Sequence, residues 1–280
     1  MTGLSLSVPA ARALPLDRSR LFLWLFLIAA LNAFAGLALS SISVAGWAGA
    51  ALNLFGISAI LWVALAAGVA LMRAAPEGDP VTRRDWAVAG AGLLAIFLPS
   101  ATISSGALTL FALYGLTTGA PASPLRRAAI IFLAMSGATL WGGLILAAFS
   151  HPLLDLDAFF VSRIAGVAQE GNLIAFADGS GTMAVAPGCS SLQGISLALV
   201  FWATVNQWFE VPVGTRSFAW LGAAVAATVA VNVLRIAALA HFPVHFDSIH
   251  GGLGWHVAAW TTMMLIAAIC VWGARREIFD

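Results

Sequence analysis

The sequence predicts an all-α polytopic membrane protein with about eight transmembrane helices, and with a short external amphipathic helix and a β-hairpin before helix six. Of the 280 residues, 61% are hydrophobic and only 9% are charged, whereas soluble domains carry roughly 25% charged residues. Apolar runs recur along the whole chain and leave no room for a soluble domain between them. We therefore interpret residues 1–280 as a single integral membrane domain. The net charge of +1 gives no support for a nucleic-acid partner, so the expected surroundings are the lipid bilayer.

Eight apolar runs approach the length of about 20 residues that crosses a bilayer. They are residues 21–39, 47–72, 86–100, 102–118, 128–149, 190–209, 217–240 and 252–273. The third and fourth are short and share a turn near Pro99 and Ser100. The first follows three arginines, as in a signal peptide, but its run of about 19 residues exceeds the usual apolar region of roughly 7–15. We expect it to be retained as the first span.

The arginines predict the orientation, because cytoplasmic loops carry an excess of basic residues. All 13 basic residues are arginines. With both termini in the cytoplasm, the cytoplasmic side receives Arg12, Arg18, Arg20, Arg73, Arg83, Arg84, Arg126, Arg127, Arg216, Arg275 and Arg276. The external loops receive Arg163 and five acidic residues, which are Asp155, Asp157, Glu170, Asp178 and Asp247. An even number of spans is required, because an odd number would place the basic C-terminus outside.

One long segment, residues 150–188, is predicted to be external. Its part 151–168 has helical spacing of apolar residues and predicts an amphipathic helix at the interface. The following residues predict two short strands around Asp178 and Gly179, a pair typical of hairpin turns. This helix-hairpin segment leads to Cys189. Residues 189–273 are predicted to form the helices that carry the catalytic residues.

The chain has two cysteines, Cys189 and Cys270. The predicted topology puts them at opposite faces of the bilayer, roughly 30 Å apart, whereas a disulfide requires Cα atoms within about 7 Å. Cys270 is most simply an apolar filler in a helix. Cys189 is then a free thiol on the oxidising side.

Cys189 could be a buried structural residue, but its surroundings favour a reactive thiol. It is predicted to lie at a helix N-terminus, where the macrodipole and the free N–H groups stabilise a thiolate. Ser190, Ser191 and Gln193 add polar groups to the expected first turn, so Ser190 and Gln193 are candidate supporting residues.

Arg235 lies inside the seventh span, about one turn or more from its outer end. A charge at that depth is costly and usually marks a functional site, although a snorkelling arginine is the alternative. Asn232, three residues earlier, shares its helical face and is a further supporting candidate.

The connection between the last two spans is rich in histidine, with His241, His245, His250 and His256. His250 stands at the start of the last span and is followed by glycines that allow close approach of the backbone. Cys189, Arg235 and His250 thus come from three consecutive spans and converge on one leaflet. A thiol, a cation and an imidazole at one level predict an acyl-transfer site, with His256 as the rival histidine.

The segments PGCSSLQG, NVLRIAALA and HGGLGW resemble the exosortase/archaeosortase family of multi-span cysteine transpeptidases. The family signatures are Cys-Ser followed by Gly or Ser and Leu, then Asn-x-x-Arg-Ile, then His-x-x-x-Gly. They match Cys189 to Leu192, Asn232 to Ile236 and His250 to Gly254, and the resemblance covers roughly residues 150–273. Ser191 replaces the glycine of many exosortases. His250 resembles the bacterial branch, because archaeal relatives have arginine at that position.

The resemblance implies a peptidase or transpeptidase of the bacterial inner membrane, with its active site at the extracytoplasmic face. Its substrates would be membrane-anchored proteins with a C-terminal sorting signal, formed by a short motif, a transmembrane helix and a basic tail. Cys189 would be the nucleophile, His250 the catalytic acid or base, and Arg235 the electrostatic stabiliser. No metal or cofactor is implied, and neither the acyl acceptor nor the substrate motif follows from the sequence.

Two other functions are compatible with the same residues. His241, His245 and His250 could hold a metal or haem with Cys189 as a thiolate ligand, although their spacing is not a standard ligand pattern. The chain could also be a non-enzymatic factor for export of exopolysaccharide or surface proteins, and Cys189 would then be dispensable.

Overall fold

The computed structural model describes residues 17–76, 79–98 and 100–279 of the chain. The predicted cytoplasmic position of Arg12 and the turn at Pro99 lie outside these residues. The helices are α1 Arg18–Leu52, α2 Ala59–Arg73, α3 Arg83–Ile96, α4 Ala101–Thr118, α5 Pro124–Ser136, α6 Gly142–Ala148, α7 Ser150–Ala165, α8 Leu192–Trp208, α9 Thr215–His241, α10 Phe246–His250, α11 Leu253–Gly273 and α12 Arg275–Phe279. The strands are β1 Gln169–Glu170, β2 Leu173–Ala175 and β3 Thr182–Ala184.

The architecture is that of an all-α membrane protein. In the described residues, four helical segments are long and apolar enough to cross a bilayer: Arg18–Leu52, Pro124–Ala148, Thr215–His241 and Leu253–Gly273. The second of these joins α5 and α6 through a π-helical turn at Gly137–Trp141. The four remaining predicted spans correspond to the shorter helices α2, α3, α4 and α8, for which crossing the bilayer stays a prediction.

The predicted second span, residues 47–72, is wrong at its start. Helix α1 continues to Leu52 with a bend at Gly46, where φ is 68°, a conformation that glycine adopts at little cost. The chain then breaks at Leu54 and Phe55, which both have positive φ. Helix α2 begins only after Ser58, whose hydroxyl accepts a hydrogen bond from Ile60 N–H. All these residues except Ser58 are apolar or small, so hydropathy does not reveal the break.

Side-chain caps fix the starts of the other N-terminal helices. Thr82 and Asp85 form a capping box at α3, and Ser100 and Ser123 accept hydrogen bonds from the first turns of α4 and α5. Such caps satisfy N–H groups that have no partner inside the helix. They explain why helices of similar apolar composition begin where they do.

The larger core lies between α1, α2, α4 and α5 and is filled by aromatic rings. Phe26 stacks on Phe132 with ring centroids 4.4 Å apart, and both side chains are fully buried. At one end of this core, the fully buried carboxylate of Asp85 pairs with Arg18 at 3.0 Å. Burial alone would raise the pKa of Asp85, but hydrogen bonds from Thr82 and Arg18 outweigh it and hold that pKa below its usual value.

A smaller core packs the helix-hairpin segment, residues 150–188, against α9 and includes Cys189. Helix α7 confirms the predicted amphipathic helix: Leu154, Ala158, Val161 and Ala165 form its buried stripe. This stripe packs on α9, so the helix is docked on the protein and its position against α9 fixes the segment that follows.

The predicted hairpin is confirmed and is extended by a third strand. The sheet has the order β1-β2-β3 with both pairs antiparallel. The turn lies between β2 and β3, and its Ala177 N–H donates to Ala240 O of α9 at 2.9 Å. Five residues after β3 the chain reaches Cys189, so the sheet and the end of α9 together position the thiol.

Candidate active site

Cys189 lies in a 3-10 turn, Pro187–Cys189, whose first residue is proline. Its N–H donates to Ala186 O at 2.8 Å, and only 8% of the residue is exposed. The expectation that Cys189 opens a helix is wrong, because α8 begins at Leu192. The N–H of Cys189 is therefore not one of the free donors at the start of a helix.

His250 is the neighbour that contacts this thiol. It is the last residue of the short helix α10, and its Nδ1 lies 3.9 Å from Cys189 Sγ. Phe246, one turn earlier, stacks on the imidazole with ring centroids 5.1 Å apart. The predicted proximity of Cys189 and His250 is confirmed, and the ring is oriented by packing against Phe246.

Asn232 and Arg235 approach from α9. Asn232 Nδ2 donates to the carbonyl of Cys189 at 2.7 Å, and Arg235 Nη2 donates to Asn232 Oδ1 at 3.2 Å. Arg235 is half-buried and lines the same cavity of about 340 Å³ as Cys189 and His250. Its predicted position beside the thiol and the imidazole is confirmed, whereas a catalytic role for the three residues stays a prediction.

Asp157 was not among the candidates predicted from the sequence, and Ser191 was named only as a polar group near the thiol. Asp157 of α7 is buried, and its carboxylate accepts hydrogen bonds from Ser191 N–H at 3.0 Å and from the Ser191 hydroxyl at 2.7 Å. The same hydroxyl accepts from Asn232 Nδ2 at 3.1 Å. A network of hydrogen bonds thus runs from Asp157 through Ser191 and Asn232 to Arg235. The only signal in the sequence is an acidic residue on the apolar side of an amphipathic helix.

The other supporting candidates take different positions. The hydroxyl of Ser190 accepts from Leu192 N–H at 3.3 Å, a local bond at the start of α8. Gln193 lies in the first turn of α8, and both residues line a second cavity beside the site. His256 lines that second cavity too, so the structure favours His250 as the partner of the thiol.

The histidines do not form a ligand cluster. His241 Nε2 contacts Ala165 O at 3.0 Å, away from the thiol. Within the three described stretches, no group of three or more His, Cys, Asp or Glu residues is arranged to hold a metal ion. Cys189 and Cys270 are both buried and unpaired, and what the site brings together is a thiol, an imidazole and a guanidinium.

No family model matches the chain, and comparisons with curated proteins and with solved structures returned no match.

Proposed function

We propose that the chain is a membrane-embedded cysteine peptidase or transpeptidase. It would cleave membrane-anchored proteins near a C-terminal sorting signal through a thioacyl intermediate. The observation that carries the proposal is the 3.9 Å contact between Cys189 Sγ and His250 Nδ1 in a cavity shared with Arg235. Contacts of this kind are often loose before substrate binds. A nucleophile beside a base, with fixed donors close by, is the arrangement that acyl transfer requires.

The chemistry follows from these three groups. His250 takes the proton of the Cys189 thiol, and the thiolate attacks the carbonyl carbon of the scissile peptide bond. Negative charge develops on the carbonyl oxygen, where Arg235 can donate hydrogen bonds. The C–N bond then breaks, the leaving amine takes the proton from His250, and the acyl group remains on Cys189 as a thioester. Water or an acceptor amine next attacks the thioester and regenerates the thiol.

The proposed setting is a bacterial inner membrane with both termini in the cytoplasm and the cavity at the extracytoplasmic face. The arginine distribution supports this orientation, and the apolar helices support insertion in a membrane. The proposed substrates are exported proteins that carry a short motif, a transmembrane helix and a basic tail, as the resemblance to exosortases implies.

The test is the intact mass of a reporter protein co-expressed with the enzyme. The reporter carries the C-terminal motif, transmembrane helix and basic tail of a secreted protein from the same cell. We expect cleavage with the wild-type chain, none with Cys189→Ala, and a hydroxylamine-labile thioester trapped on Cys189 of the wild type. Cleavage at the wild-type rate by Cys189→Ala would overturn the proposal and favour the non-enzymatic export factor.

A further inference from the structure

We call the cavity lined by Cys189, His250 and Arg235 the catalytic cavity. A second cavity adjoins it and extends between the membrane helices. It has a volume of about 290 Å³ and shares Gly188, Arg235 and Trp255 with the cavity that contains the thiol. Its walls are the connection 52–59 between α1 and α2 and parts of α8, α9 and α11. We call it the membrane-side cavity, because its walls belong to helices of the membrane domain and include none of the external sheet.

The two cavities divide the surroundings of Cys189. The catalytic cavity includes Ala186, on the side of the external sheet, whereas the membrane-side cavity includes Ser190 and Ser191, on the side of α8. A peptide that crosses the thiol therefore passes from the external sheet toward the membrane helices. In a substrate whose anchor follows the cleavage point, the part that leads to the anchor faces the membrane-side cavity.

The walls offer side chains that have no hydrogen-bond partner among the described residues. Gln193, Thr262 and His256 line this cavity, and the part of the chain that the structure describes provides no hydrogen bond to their side chains. An extended peptide carries N–H and C=O groups that need such partners away from water. A lipid acyl chain has no such groups, so these walls favour a peptide.

The same wall groups favour an extended stretch over a helix. An α-helix makes its backbone hydrogen bonds internally, whereas an extended stretch needs partners outside itself. The transmembrane helix of the substrate would therefore begin beyond this cavity.

We propose that the membrane-side cavity binds the extended residues that lie between the scissile bond and the transmembrane helix of the substrate. This inference rests on the proposed function, since it assigns the leaving side of the substrate to one wall of the same site. Arg235, at the junction of the cavities, separates the acyl side from the leaving side. Apolar or small residues with free backbone groups suit the walls.

A first test is photo-crosslinking in cells with Cys189→Ala, which retains uncleaved substrate. A benzophenone amino acid replaces Trp260, an exposed aromatic residue that lines the cavity, and in a control it replaces Met264, one turn deeper and 62% exposed outside the lining. At position 260 we expect crosslinks to a peptide directly preceding an apolar run of about 20 residues. At position 264 we expect lipid or the apolar run itself. Crosslinking of position 260 only to phospholipid, or to no peptide, would overturn the inference.

A second test measures how fast the enzyme cleaves the reporter or the natural substrate that crosslinking identifies. Met263 lines the cavity and Met264 does not. Met263→Trp should lower kcat/KM about 10–100-fold, since overfilling a packed site typically costs about 1–3 kcal/mol, whereas Met264→Trp should leave it within about twofold. Equal rates for the two variants, with cleavage still dependent on Cys189, would reject the membrane-side cavity while the proposed function stands. Loss of dependence on Cys189 would instead reject the proposed function.

Discussion

The hydroxyl of Ser191 donates a 2.7 Å hydrogen bond to Asp157, a carboxylate carried by helix α7. A carboxylate only accepts and a guanidinium only donates, so the two ends of the network fix the groups between them. Ser191 must donate to Asp157 and accept from Asn232, and the amide of Asn232 must turn its oxygen to Arg235. Asp157 thereby orients the hydroxyl of Ser191, which supports the amide that contacts Arg235 and the carbonyl of Cys189.

Replacing Asp157 tests this positioning role. In Asp157→Asn the amide can donate to Ser191, so the Ser191 hydroxyl no longer has to donate to position 157 and its link to Asn232 is weakened. Leaving a buried group without its partner costs about 1–3 kcal/mol, so we expect kcat to fall about 10–100-fold with little change in KM. The measurement is the rate of reporter cleavage per folded molecule. A kcat equal to that of the wild type would show that Asp157 only anchors α7.

Removing the Ser191 hydroxyl, which links Asp157 to Asn232, gives a matched comparison. Ser191→Ala loses the hydroxyl but keeps the N–H that donates to Asp157 at 3.0 Å. Asp157 thus stays anchored while Asn232 loses one acceptor. We expect Ser191→Ala to lower kcat as Asp157→Asn does while leaving thermal stability closer to that of the wild type.

His250 should be required for turnover, because its Nδ1 is the group in contact with the thiol. Loss of a general acid or base costs about 10²–10⁴-fold in rate, and we expect His250→Ala to fall in that range for cleavage of the reporter. The control is His245→Ala, since His245 is exposed and lines neither cavity. If both variants cleave equally fast, His256 becomes the candidate base.

Asp85 gives a prediction on stability that is separate from catalysis. The pKa of Asp85 in the folded state lies below the usual value. Its ionised carboxylate therefore adds to the free energy of unfolding above the unfolded pKa of about 3.9, and this stabilisation is lost as pH falls through the folded pKa. Asp85→Ala leaves Arg18 without its buried partner, which typically costs about 3–5 kcal/mol. We expect a lower Tm in detergent for Asp85→Ala and reporter cleavage per folded molecule close to that of the wild type. A Tm unchanged by the substitution would contradict the ion pair.

The sequence predicts the meeting of Cys189, Arg235 and His250 because alternating spans bring consecutive helix ends to one level. It does not predict the network to Asp157, since a carboxylate on the buried stripe of α7 acquires a partner only when α7 docks on α9. The sequence does not predict the break at Leu54 and Phe55 either, because hydropathy does not indicate positive φ at apolar residues. Helix α8 begins later than predicted because Cys189 lies in a 3-10 turn that precedes the helix. The N–H of Cys189 donates to Ala186 O within this turn.

The orientation of the chain can be tested by thiol labelling from outside sealed cells. Cys189 and Cys270 are buried and are poor reporters, so both are replaced by alanine. Val244→Cys, at a 90% exposed position between α9 and α10, should react with an impermeant maleimide, whereas Phe279→Cys, at a 79% exposed position in α12, should react only after the membrane is opened. Labelling of position 279 from outside would reject a cytoplasmic C-terminus.

Strand β3 is the edge strand that lies closest to Cys189 along the chain, and we expect it to hold the acyl side of the substrate. Val185 N–H donates to Asn172 O, and Phe176 N–H donates to Gly181 O. Since antiparallel pairs alternate, the N–H and C=O groups of Thr182 and Ala184 point away from β2. An exposed edge of this kind can pair with an extended peptide, and it leads directly toward Cys189.

Thr182→Pro removes the outward N–H at this edge and leaves the bonds between β2 and β3 in place, because proline is tolerated at the free side of an edge strand. One lost hydrogen bond is worth about 0.5–1.5 kcal/mol, so we expect KM for the reporter to rise about two- to tenfold with kcat nearly unchanged. Thr182→Ala keeps the N–H and serves as the control, with KM close to that of the wild type. If Thr182→Ala raises KM as much as Thr182→Pro, the side chain of Thr182 and not the strand edge contacts the substrate.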